Sequence, residues 1–215
     1  MLAEIKGWGM KKIVAVLVAS GTALLASCGG GAGDAGNSST LLAGGASEQP
    51  AYLGTWQAAC DGHERQVLVV ALKGDGSGAL ELTPTTETYF EAGCGGALLA
   101  TESMSATISA APDGIADILL KLPHNAGLSD VRIDKRTLSI PAFSFTVTGA
   151  GVEYLLKDGQ QQWCISHDGG ASCVLDEGAR PAQSIAGGLF LRDNQLYTVV
   201  KVGDSYVHDT LYRKK

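Results

Sequence analysis

Four histidines carry most of the chemistry this 215-residue chain could offer: His63, His124, His167 and His208. Three of them precede a carboxylate, in His63-Glu64, His167-Asp168 and His208-Asp209. An imidazole beside a carboxylate suggests either a metal-ligand set or a general base with its orienting partner. In a strand, however, adjacent side chains point to opposite faces, so none of these pairs is by itself a ligand pair or a dyad. The sequence therefore assigns no catalytic residue, no metal ligand and no cofactor, and the histidines are read as polar loop or surface residues.

The cysteines add constraint rather than reactivity. Cys60, Cys94, Cys164 and Cys173 form an even set with no Cys-x-x-Cys pair, which argues for disulfides in an oxidising compartment over zinc or redox chemistry. Four cysteines allow three pairings, and chain proximity favours Cys60–Cys94 with Cys164–Cys173. The second bridge would close a short loop containing His167 and Asp168. That makes these two residues the candidate binding loop, since recognition groups favour loops held on a rigid scaffold.

No Gly-x-Ser-x-Gly elbow, His-Glu-x-x-His helix or phosphate-binding glycine loop occurs. The formal charge of −6 argues against nucleic acid, whose phosphates ask for a basic surface.

The amino end has a different character. Lys11 and Lys12 precede an uncharged run from Ile13 to Ala26, 14 residues long, and then small residues at a cleavage position. That run is shorter than the roughly 20 residues a membrane-spanning helix needs. Residues 11–28 resemble the bacterial lipoprotein signal: Leu25, Ala26, Ser27 and Cys28 match its four positions. The resemblance implies cleavage before Cys28, lipidation of its thiol and attachment to the membrane of a bacterial envelope. Gly29, where the family's inner-membrane retention signal has Asp, favours the outer membrane. Met10 would itself open a compact signal, so both Met1 and Met10 stand as candidate starts. Removing residues 1–27, with three lysines and one glutamate, would take the formal charge from −6 to −8.

Residues 28–49 are rich in Gly, Ala, Ser and Asn and read as a lipidated flexible tether. From residue 50 to 215 the chain changes to short β-type runs separated by Gly, Asp and Asn, without a helical stripe, which predicts a single all-β domain. Hairpins are expected around residues 74–78, 93–96, Asp158-Gly159, Asp193-Asn194 and Gly203-Asp204. Pro141 should break the segment 137–148 at an edge or bulge. Sequential hairpins without helices predict an antiparallel up-and-down barrel or a sandwich.

Tyr52-Leu53-Gly54-Thr55-Trp56 resembles the Gly-x-Trp opening of the lipocalin and calycin group, and Leu211-Tyr212-Arg213-Lys214 near the carboxyl end is loosely similar to the segment whose basic residue covers that Trp. The resemblance implies a barrel closed at one end by Trp56. The functional expectation is a noncatalytic envelope lipoprotein whose β domain binds a protein, glycan or amphiphile. Two alternatives remain: a structural or assembly accessory of the outer membrane, and a periplasmic hydrolase with an unrecognised site.

Overall fold

The computed structural model describes residues 49–215. The expected signal peptide 1–27, the Cys28 lipidation site and residues 28–48 of the tether lie outside the described residues.

Among the described residues a helical turn, α1 (Gln49–Tyr52), leads into thirteen strands. They are β1 (Gly54–Ala58), β2 (Glu64–Leu72), β3 (Leu80–Glu91), β4 (Gly95–Met104), β5 (Ile108–Lys121), β6 (Leu128–Ile140), β7 (Phe145–Thr148), β8 (Val152–Lys157), β9 (Gln160–His167), β10 (Gly170–Leu175), β11 (Gln183–Arg192), β12 (Gln195–Val202) and β13 (Ser205–Lys214). Ten form one antiparallel sheet in the order β2-β1-β13-β12-β11-β6-β5-β3-β4-β7, and three form a second in the order β10-β9-β8. A further β2–β3 ladder folds the large sheet around the main apolar cluster.

The all-β expectation holds, and most hairpins fall where turn chemistry placed them. Asp193 and Asn194 adopt φ of 54° and 58°, and Asp158 and Gly159 adopt 53° and 77°, the left-handed pairs that match the twist of a two-residue hairpin. Pro141 ends β6, and β7 resumes at the sheet edge, where fewer ladder donors are required. Pro84, by contrast, lies inside one continuous strand, β3. It occupies the point at which β3 changes neighbour, from β5 at residues 80–82 to β4 from Thr85 onward, so its missing N–H interrupts no ladder on that side.

The up-and-down barrel is corrected by this topology. An up-and-down arrangement keeps chain neighbours side by side, whereas β6 pairs with β11 across four intervening strands and β3 pairs with β5 past β4. The intervening chain includes the separate three-stranded sheet. The lipocalin and calycin resemblance falls with that arrangement, although its local contact is present: Trp56 is buried, donates Nε1–H to the Tyr52 carbonyl at 2.7 Å, and lies under Lys214 Nζ at 5.3 Å from the ring centre. The physical cause is packing, since an indole in a core needs a partner for its N–H and a lysine stem can cover its open face.

The main core gathers Tyr52, Trp56, Leu68, Leu80, Leu189 and Leu196 with their neighbours. A second cluster centres on Ile133, Phe190 and Tyr197, whose two aromatic rings stack at 4.6 Å. The small sheet joins the large one through Ile165, packed with Ala100 and Val147. That packing brings the β9–β10 turn to the ends of β2 and β3.

Candidate functional site

Two regions converge chemistry: a corner made by His63, His167 and Asp168, and an apolar cavity inside the large sheet.

The corner begins with the disulfides. Cys60–Cys94 and Cys164–Cys173 are both formed, as the sequence expected, with Cα separations of 5.8 and 4.1 Å. Cys60–Cys94 ties the approach to β2 to the β3–β4 turn, and the backbone reinforces it: Gly93 N–H donates to Gly62 O at 2.7 Å, and Tyr89 N–H to His63 O at 2.8 Å. His63 is thereby held beside the end of β3. On the other side, β9 and β10 reverse through Asp168 and Gly169, with His167 opposite Gly170. Asp168 N–H donates to Phe90 O at 3.1 Å and docks this turn onto β3.

The two imidazoles then stack, with ring centres 3.9 Å apart and planes 24° from parallel. His63 Nε2 lies 3.4 Å from Asp168 Oδ1. Gly169 N–H donates to His167 Nδ1 at 3.2 Å, so that nitrogen carries a lone pair and Nε2–H is left to donate to Ser172 Oγ at 2.9 Å. His63 Nδ1 is buried without a hydrogen-bond partner among the described residues. One donor atom from each of His63, His167 and Asp168 lies within 4.8 Å of the other two. The sequence reading placed His167 and Asp168 in a binding loop and treated His63 as an unrelated polar residue. The structure brings all three together. No local signal could have found His63, because the acid it meets is Asp168 and not the adjacent Glu64.

The other histidines stay apart from this corner. His124 has a left-handed φ of 70° just beyond β5. His208 packs edge-on against Tyr197 with ring centres 5.9 Å apart, and burial holds its pKa below the ordinary imidazole value.

The cavity occupies about 70 Å³ within the large sheet. Leu68, Leu82, Ile108, Leu138 and Leu189 supply its apolar wall, Met104, Phe143 and Phe145 also line it, and Arg180 lies over the Phe145 ring at 5.3 Å. Gly188 is part of the lining, where an added Cβ would come within 3.0 Å of Asp134 O and 3.2 Å of Val199 Cγ2. No family model, curated protein or solved structure matches the chain. That result corrects the recognition of residues 11–28 as a lipoprotein signal and the lipoprotein reading built on it, which have no family behind them; Cys28 itself lies outside the described residues.

Polar groups of the cavity satisfy one another. Thr198 Oγ1 donates to Asp209 Oδ2 at 3.0 Å, and Tyr212 O–H donates to Gln66 Oε1 at 3.3 Å. Burial pushes the Tyr212 hydroxyl far above the usual phenol range, which keeps it a neutral donor. Arg136 is the exception. Its side chain is 1% exposed, it pairs with Asp134 and donates Nη1–H to Gly78 O at 3.2 Å, yet its Nε has no partner among the described residues.

Proposed function

We propose that this protein is a noncatalytic binding domain of an oxidising compartment that takes a small amphiphile into the cavity at Arg136. The observation that supports this reading is a largely apolar cavity lined in part by Arg136, whose buried Nε–H has no partner among the described residues. An unpaired buried donor costs about 1–3 kcal/mol, which an incoming acceptor relieves. Apolar walls with few oriented polar groups are the usual makeup of a small-molecule site. The two disulfides fit secretion to a compartment where thiols oxidise.

Asp134 already offsets the guanidinium charge, so the matching group is a neutral acceptor such as a carbonyl, ether or hydroxyl oxygen. The cavity is several times the roughly 10–15 Å³ that holds one water on the same measure, and admits a short alkyl segment. The test is a titration with 2-alkanones of increasing chain length, followed by amide chemical shifts. Shifts are expected around Arg136, Leu138 and Gly188, with affinity rising by about 0.8 kcal/mol per methylene until the cavity is full. A Leu138→Phe variant, which fills the cavity, should lose the response. Equal responses in both proteins, or none in either, would refute the reading.

A second reading has its own observation. β8 is an edge strand of the small sheet, with Tyr154, Leu155 and Leu156 exposed, the last at 69%. Soluble proteins blunt edges with charge, and apolar edge strands favour strand addition by a partner, which suits an accessory that docks another protein. Leu156→Lys would abolish such docking while changing stability by less than about 0.5 kcal/mol. Unaltered pull-down of partners by that variant would remove this reading.

A further inference from the structure

We infer that His63, His167 and Asp168 form a binding site for a late first-row divalent cation, zinc or copper(II). The argument starts at Gly169. A Cβ built on this glycine would stand 3.2 Å from His63 Nε2 and 3.4 Å from His167 Nδ1, so both nitrogens border the small space that the missing side chain leaves open. Asp168 Oδ1, 3.4 Å from His63 Nε2, borders the same place. Two imidazole nitrogens and one carboxylate oxygen are the donor set favoured by zinc and copper(II), and unlike the all-oxygen shell of calcium or magnesium.

His167 Nδ1 carries a lone pair in this arrangement, because it accepts from Gly169 N–H. Its Nε2 keeps the hydrogen bond to Ser172 Oγ, the outer contact that orients a ligating imidazole. Ligation at Nδ1 would release Gly169 N–H, which lies at an exposed turn where water can replace the lost acceptor. Zn–N distances of roughly 2.0–2.1 Å place ligands closer together than the 4.8 Å within which these atoms lie, so binding draws the β9–β10 turn toward His63 and tilts the imidazoles out of their stack. The Cys60–Cys94 and Cys164–Cys173 bridges each brace one half of the site, and the Asp168 N–H bond to Phe90 O with the packing of Ile165 on Ala100 and Val147 keeps the halves near one another while the turn adjusts. Three protein ligands leave a further coordination position facing solvent beside Asp168, whose side chain is 44% exposed.

This inference is independent of the cavity, and its test reads the cation alone. The full chain would be titrated with zinc and, as a coloured substitute, cobalt(II), by calorimetry and visible absorption. One ion per chain is expected, with affinity reduced more than about tenfold in His63→Ala and in His167→Ala, and unchanged in His124→Ala. Gly169→Ala gives the sharper result, since its φ lies outside the left-handed region and the added methyl would block the gap without removing a ligand. It should bind the cation as weakly as the histidine variants. Because a histidine variant could disturb the corner itself, copper(II) broadening of the wild-type imidazole proton resonances supplies a second reading, and only those of His63 and His167 should broaden first. Failure of the wild-type chain to bind, binding undiminished in Gly169→Ala and His167→Ala, or first broadening at His124 or His208 would overturn the site.

Discussion

Burying the Arg136 guanidinium takes a charge out of water, and the fold meets it with Asp134 and two backbone carbonyls. Removing one member of a buried pair leaves the other uncompensated, so Asp134→Ala is expected to destabilise the protein by about 3–5 kcal/mol in denaturant unfolding. The double replacement Asp134→Leu with Arg136→Met should recover most of that loss, since apolar substitutes of similar volume remove both desolvation costs. At Trp56 the loss is one of packing: Trp56→Ala should cost about 3–5 kcal/mol by the same assay, because a fully buried indole leaves a cavity that the surrounding strands cannot refill. His208 sets a pH dependence. Burial lowers its folded pKa, so below the ordinary value of 6.5 the unfolded chain binds more protons than the folded one. Stability should therefore fall as pH drops beneath 6.5, and a His208→Leu variant should show a shallower fall across the same range. Identical slopes would show that His208 is not the group responsible.

Elements joined by nearby turns were the legible part of the sequence. Asp158-Gly159 and Asp193-Asn194 announce their hairpins because left-handed φ at two successive positions suits few residue types. The cysteine pairing was equally readable, since each bridge links segments only 34 and 9 residues apart. Chain entropy makes the longer loop worth more: roughly 3.8 kcal/mol for Cys60–Cys94 against roughly 2.6 for Cys164–Cys173. Replacing the first pair by serines should therefore lower stability by about 1 kcal/mol more than replacing the second. Equal losses would place the effect in native packing instead. The β6–β11 ladder was illegible, because no turn announces a pairing that skips four strands. The same holds for His63, whose stacking on His167 depends on Ile165, Ala100 and Val147 seating the small sheet against the large one. β10 was missed for a related reason: its disulfide-closed loop reads as irregular chain, whereas Gly170 to Leu175 completes a ladder with β9.

For the whole molecule, the large sheet wraps the main apolar cluster, and the small sheet carries its turn to the ends of β2 and β3. The first arrangement lines the cavity and the second assembles the histidine corner, so the two candidate sites rest on different pieces of the topology. Ligand in the cavity should raise thermal stability through linkage, about 2.7 kcal/mol at a hundred times its Kd. The most direct measurement is native mass spectrometry of the folded protein purified from its own host, followed by release of the bound species under denaturing conditions. The account predicts a defined small amphiphile that is retained natively, freed on unfolding and absent from the Leu138→Phe variant. A bare polypeptide mass with both disulfides intact, and a Leu138→Phe variant indistinguishable from it, would contradict the account.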